Sequence, residues 1–380
     1  MRFCSLSSVK SRIVLGEPLP FSVRDSSRLL LLARGQIIMD EAQLDELFQR
    51  GALVEIEELA GAVVQQQPKR RESPEQRLAR LPSDWLRTSH DVRQALSAPT
   101  PQMAAAIHSA TDLLLSLIDV APDVALSQVV RQPESGDGHY GVNHSIHAAT
   151  ACHAAARYLG WSPADQRRAF QAALTMNVAM VDLQARLSSQ VSPLTTKQRE
   201  AINEHPTRGV EMLREAGITD ELWLEAVLTH HELPDGSGYP NGSSDIGELA
   251  EMLRFADVYT ARLSARANRP AMSAQQAGRE LHQMADSSPL AAALIKAFGI
   301  FPPGSLVRLA SGELGLVVRN GDRAHRPLVA TLTNASGEPR LTPLMRDSAR
   351  EEHAVVALLS AQAIPMRLTD ERVASLIGGR

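Results

Sequence analysis

From about residue 84 to about 300, apolar residues recur at i, i+3, i+4 and i+7 in one segment after another. AAAIHSATDLLLSLIDV, HSIHAATACHAAARYLG, ADQRRAFQAALTMNVAMVDLQ, TTKQREAINEHPTRGVEMLREAG, TDELWLEAVLTHHE and IGELAEMLRFADVYTARL all carry this period. A stripe of that kind is stable only when buried against another, so the spacing predicts packed amphipathic helices. The chain reads as mainly α, with a central bundle able to carry a site built from side chains on facing helices.

The flanks read differently. Residues 1–64 suggest a small α/β domain. SRIVL and PLPFSVRD have strand character, and LLLLA at 29 to 33 suits a buried strand. Asp40 is placed to cap a helix over EAQLDELFQR, with Gln43 as its capping-box partner and Gly51 as the stop. Residues 65–83, beginning QQQPKRRESPEQR, read as a polar linker. Its Lys69-Arg70-Arg71 cluster is too short to argue for nucleic acid. The helical domain spans 84–300. Residues 301–380 read as a β-rich extension of three to five short strands, with turns at Ser311-Gly312 and Asn320-Gly321.

Composition narrows the setting. The 380 residues are 44% hydrophobic and 22% charged with a net charge of −4, which fits a globular chain and argues against nucleic acid or an anionic membrane as partner. The two cysteines, Cys4 and Cys152, form neither a zinc pattern nor a disulfide framework. The N-terminus lacks the apolar core of a signal peptide, and no stretch approaches the roughly 18 apolar residues of a membrane helix. The expectation is a cytoplasmic protein.

HHELPDGSGYP, at 230 to 240, is the densest chemistry in the chain. Adjacent helical side chains diverge by about 100°, so His230 and His231 share one metal only where the helix ends. Pro234 and the DGSGYP turn supply such an end. His205 opens HPTRG, His144 opens HSIHAATACHAAARYLG, and Asp257 interrupts an apolar helical face. Imidazole and carboxylate groups on separate helices are what a metal site in a bundle core needs.

These stretches occur in the order of the HD-GYP family, which the chain resembles over about 135 to 300. HS at 144, HP..G at 205 to 209, HHE at 230 to 232, DGSGYP at 235 to 240 and FADVY at 255 to 259 carry the resemblance. It implies an HD-type helical bundle flanked by a small N-terminal α/β unit and a small C-terminal β unit. It also implies a two- or three-metal site, of iron or manganese, that hydrolyses the phosphodiester of cyclic di-GMP. His144, His205, His230, His231 and Asp257 fall on the family's ligand positions. Arg266 and Arg269 fall near its phosphate-binding residues, with Asn268 replacing the tyrosine between them. Gly238, Tyr239 and Pro240 fall on the loop motif, which in the family looks able to engage diguanylate cyclases with GGDEF domains.

The chain departs from the family where the family takes its name. In AALTMNVAM, at 172 to 180, the helical spacing looks intact, but Met176 stands for the histidine, Asn177 for the aspartate and Met180 for the lysine. A neutral amide is a weaker ligand than a bridging carboxylate, a thioether is soft, and Met180 carries no charge. Asp182 is five residues beyond Asn177 and does not take its place. One metal would keep only His144 and Asp257. The other would keep His205, His230 and His231, enough for a mononuclear site. Three readings follow: a degenerate HD-GYP protein that binds cyclic di-GMP, a related nucleotide or a partner protein; a residual phosphodiesterase; and a metal-free scaffold.

Overall fold

The computed structural model describes residues 3–13, 15, 16, 18–56, 58, 74–98, 100–132 and 140–379. The chain divides into two compact units, one ending at Pro74 and one beginning at Glu75. The expected linker, with its Lys69–Arg71 cluster, lies outside the described residues as far as 73. From Pro74 onward it is helix.

In the first unit, β1 (Phe3–Ser5), β2 (Val23–Arg24), β3 (Leu30–Leu32) and β4 (Leu53–Glu55) form a sheet in the order β1-β4-β2-β3. α1 (Glu41–Gln49) packs Leu44 and Leu47 onto Leu6, Phe21, Val23 and Ile38. Asp40 accepts from the Gln43 backbone at 2.8 Å, but the Gln43 side chain returns to Met39 N–H, not to Asp40. Two strand expectations fail. Ser11 and Arg12 of SRIVL belong to a 3-10 segment, Leu6–Arg12, capped by Ser5. LLLLA is not buried: β3 is the sheet edge, and Leu29 and Leu30 are exposed.

The second unit holds the bundle. Its helices are α2 (Pro74–Leu96), α3 (Thr100–Val120), α4 (Pro122–Arg131), α5 (Tyr140–Tyr158), α6 (Pro163–Thr175), α7 (Val181–Ser188), α8 (Thr196–Glu215), α9 (Glu221–Thr229), α10 (Glu248–Leu263), α11 (Ala274–Met284) and α12 (Pro289–Phe298). α5 runs through the core. Ala148, Ala149, Ala151, Cys152, Ala155 and Ala156 are all buried, and their small side chains let α6, α10 and α12 approach closely. Ser162, Thr195, Asp220 and Ser273 cap the helices that follow them, with full capping boxes at Thr195 and Ser273. α3 is a correction to the expectation that no segment is apolar enough to span a membrane. It has 21 residues, and an 18-residue stretch of it with a mean hydropathy of 1.4 meets that test by length and composition. Its Met103, Ile107, Ala110, Leu114 and Ile118 face the bundle core.

The AALTMNVAM helix is not continuous. α6 ends at Thr175, Asn177 leaves helical geometry at φ −106°, ψ 15°, and Val178–Met180 makes a 3-10 turn before α7. The apolar period survives the break because both pieces pack on the same core.

β5 (Leu306–Leu309), β6 (Leu314–Arg319), β7 (Leu328–Thr333), β8 (Pro339–Asp347) and β9 (Val355–Leu359) form an antiparallel sheet in the order β8-β7-β6-β5-β9. One face buries Leu316, Val318, Ala330 and Leu332 with Val124 of α4 and with Val373 and Ile377 of α13 (Asp370–Gly378). That last helix, capped by Thr369, is missing from the sequence expectation of a β-rich extension.

Candidate metal centre

The site is assembled where helices end or break. Pro206 sits inside α8 and has no N–H to give to the carbonyl of Ile202, four residues earlier. His205 Nδ1 donates to that carbonyl instead, at 2.5 Å. His230 follows the last residue of α9, and its Nδ1 donates to the carbonyl of Val227 at 2.7 Å, in the turn whose carbonyls lack helical donors. Both rings therefore carry their proton on Nδ1. Their bare Nε2 atoms face each other 3.4 Å apart in a buried setting.

His231 completes the group. One nitrogen from each of His205, His230 and His231 lies within 4.8 Å of the others. The helix end brings the two neighbouring rings to 4.1 Å between centroids, which a continuing helix would not allow. Burial, reinforced by the neighbouring imidazole in each case, pushes His205 and His230 down to about 4 and His231 to about 3. All three are neutral at pH 7, the state that binds a metal. Converging lone pairs with fixed tautomers fit one cation, and the carbonyls behind His205 and His230 orient them.

The second half is different. His144 on α5 donates from Nε2 to Asp257 Oδ1 on α10 at 2.7 Å. Burial opposes ionisation of Asp257, but this hydrogen bond, with the nearby imidazoles of His144, His231 and His230, outweighs it and holds the carboxyl well below its usual range. Asn177 is fully buried, and neither its amide oxygen nor its nitrogen has a partner among the described residues. Its segment lies against α8: a side chain on Gly209 would sit 3.6 Å from Val178 and 4.0 Å from the Met176 carbonyl. Met176 is fully buried too, while Asp182 is exposed and takes no part. The donor set thus fits a metal on the three-histidine side, while His144 and Asp257 are paired with each other.

The loop after His231 is braced inward. The Tyr239 ring stacks on His231 at 4.6 Å, and its N–H donates to the His231 carbonyl at 3.2 Å. Burial, with Asp257 second, raises its phenol. A side chain at Gly238 would lie 2.5 Å from Glu232 Cα, the His231 carbonyl and Leu233 N, so no larger residue fits. Glu232 is fully buried and accepts from the backbones of Asn241 at 2.7 Å and Ser243 at 3.0 Å. Tyr239 and Pro240 line a cleft of about 470 Å³ with Glu204, Arg208 and Glu211 of α8.

The two arginines have separate fates. Arg269 donates to the carbonyls of Ala261 and Ser264, closing the C-terminal end of α10. Arg266 donates through Nε and Nη2 to Tyr140 Oη, at 3.0 and 2.8 Å. Asn268 is exposed between them. Sequence reasoning missed Tyr140 and the anchoring role of Glu232. Tyr140 carried one signal, since it lies one helical turn before His144.

A helical bundle with three converging histidines is what this fold and site define. The family model for the HD domain matches residues 125–290, and the chain is an HD-GYP domain protein. Cyclic di-GMP phosphodiesterases are among its relatives. One from Pseudomonas aeruginosa is 30% identical over 257 residues, 65% of this chain and 61% of the relative. Another, from Vibrio cholerae, is 30% identical over 172 residues, 41% of this chain and 35% of the relative. The chain thus spans less than two thirds of the length of these relatives. An HDG"Y"P protein from Bdellovibrio bacteriovorus aligns over 77% of this chain and 97% of its own at 16% identity, with a TM-score of 0.47.

Proposed function

We propose that this chain is a degenerate HD-GYP protein of bacterial cyclic di-GMP signalling. In this reading it acts in the cytoplasm, mainly by binding the nucleotide or a partner protein, and its hydrolysis is lost or weak. Asn177 carries the reading. A bridging carboxylate would hold two cations together and offset their repulsion, whereas this buried amide is neutral and has no partner among the described residues. Met176 beside it supplies only a soft thioether. Iron or manganese, when bound on His205, His230 and His231, would supply Lewis-acid polarisation of a phosphoryl oxygen. Asp257 and His144, already paired with each other, would flank that position.

The partner side of the proposal rests on the loop. Tyr239 and Pro240 shape a cleft rimmed by Glu204, Arg208 and Glu211, a polar setting suited to a protein such as a GGDEF-domain diguanylate cyclase. The alternative is a residual phosphodiesterase, favoured by the convergence of the three histidines. Turnover of cyclic di-GMP by anaerobically prepared protein loaded with Fe(II) or Mn(II), with metal content measured on the same sample, separates the two. Calorimetric binding without turnover supports the binding reading. Hydrolysis abolished by His231→Ala replaces it with the enzyme reading.

A further inference from the structure

We infer that Tyr140 is a positioning residue for a ligand-binding arginine: it fixes the Arg266 guanidinium beside the His144–Asp257 pair, so that its remaining edge meets an anionic phosphodiester oxygen. The inference rests on the nucleotide-binding reading above and adds the residue that directs it.

Tyr140 opens α5 one turn before His144, and the two rings lie parallel, 5.9 Å apart at 7°. Its phenol oxygen accepts both Nε–H and Nη2–H of Arg266, which fixes the guanidinium plane as one bond would not. The guanidinium carbon also lies 5.2 Å from the Tyr140 ring centroid. Nη1 has no hydrogen bond among the described residues.

The identity of the acceptor matters. Other arginines of this unit meet carboxylates, as Arg262 meets Glu280 at 3.0 Å and Arg168 meets Asp220 at 2.7 Å. Arg266 has no carboxylate partner among the described residues. A neutral phenol sets its direction and leaves its charge uncompensated, the arrangement an anion site needs. Tyr140 is not a platform for a base, because His144 and the guanidinium already lie against its ring.

Both partners are tied to α7. A side chain at Gly141 would lie 2.3 Å from the Val181 carbonyl, so the start of α5 presses on the first residue of α7. Ala267 N–H donates to the carbonyl of Ser188, its last residue, at 2.8 Å. Arg266 N–H bonds the Arg269 carbonyl at 2.8 Å, and Arg269 holds the end of α10. The guanidinium is therefore placed before any ligand arrives, so binding does not have to order it.

Calorimetric titration of the Mn-loaded full chain with cyclic di-GMP tests this with wild type, Tyr140→Phe, Arg266→Ala, the double variant and Arg266→Lys. Tyr140→Phe keeps the ring and removes only the acceptor. The expected result is a loss of about tenfold for each of the first two variants, with no further loss in the double. Arg266→Lys keeps the charge, loses the fork, and should match Tyr140→Phe. The salt dependence of binding should weaken in Arg266→Ala and in the double variant, which lack the cation. Additive losses, or wild-type affinity in Tyr140→Phe, would overturn this inference alone. Absence of wild-type binding would overturn the nucleotide reading and this inference with it.

Discussion

Pro206 and His205 divide the work at one backbone carbonyl: the proline withholds the N–H that Ile202 would ordinarily receive, and the histidine Nδ1 takes its place at 2.5 Å. Pro206→Ala returns a competing donor to that carbonyl. Metal affinity, measured by competition with a chromophoric chelator, should fall about tenfold while Tm holds or rises. Unchanged affinity would mean that His205 is oriented by something other than this bond.

Asn177→Asp should have opposite effects with and without metal. A partnerless carboxylate in this fully buried position should cost the metal-free protein about 2 kcal/mol or more. Mn(II) should recover that loss by binding the folded state. The triple variant Met176→His, Asn177→Asp, Met180→Lys should raise bound metal from one to two per chain and create or raise hydrolysis. Thermal melts with and without Mn(II), and metal analysis of the triple variant, check both. A folded, metal-loaded triple variant with unchanged activity would count against the proposal that Asn177 limits hydrolysis.

At Gly238 the obstacle is backbone, which cannot swing aside. Gly238→Ala should destabilise the protein by about 1–3 kcal/mol and loosen Tyr239 from His231. Denaturant melts read the first effect and metal affinity the second.

Much of this was legible in advance, and the gaps have physical reasons. Two adjacent histidines followed by Pro and Gly announced a helix end, and one stands there. The five residues expected as ligands sort into the group His205, His230, His231 and the pair His144, Asp257. The break at Asn177 was hidden because an apolar period reports a shared core and does not register a 3-10 turn. Arg269 could not be told from Arg266 by sequence, since closing a helix end and gripping a phenol oxygen draw on the same residue type. LLLLA misled because hydrophobicity gives no sign of an edge strand.

Acid should weaken the C-terminal sheet through Glu313. This carboxylate is buried and receives Arg340 and Arg346 from β8 and the Ser311 hydroxyl, and the Arg346 hydrogen bond leads the causes that lower its pKa below 4.5. A group whose folded pKa is depressed binds fewer protons folded than unfolded. Its stabilisation is complete above about pH 4.5 and fades as pH falls through the folded value. Glu313→Gln should lower stability at pH 7 and flatten the acid limb of the Tm-versus-pH curve. An unaltered limb would remove Glu313 from the account.

Glu232 gives the loop a foundation of its own. It grips the backbones of Asn241 and Ser243 without help from Met176, Asn177 or Met180. Exchanges at Met176, Asn177 or Met180 therefore leave this anchor of the loop in place. The shape that the loop presents and the metal chemistry beneath it thus rest on separate supports, and either can change while the other stands.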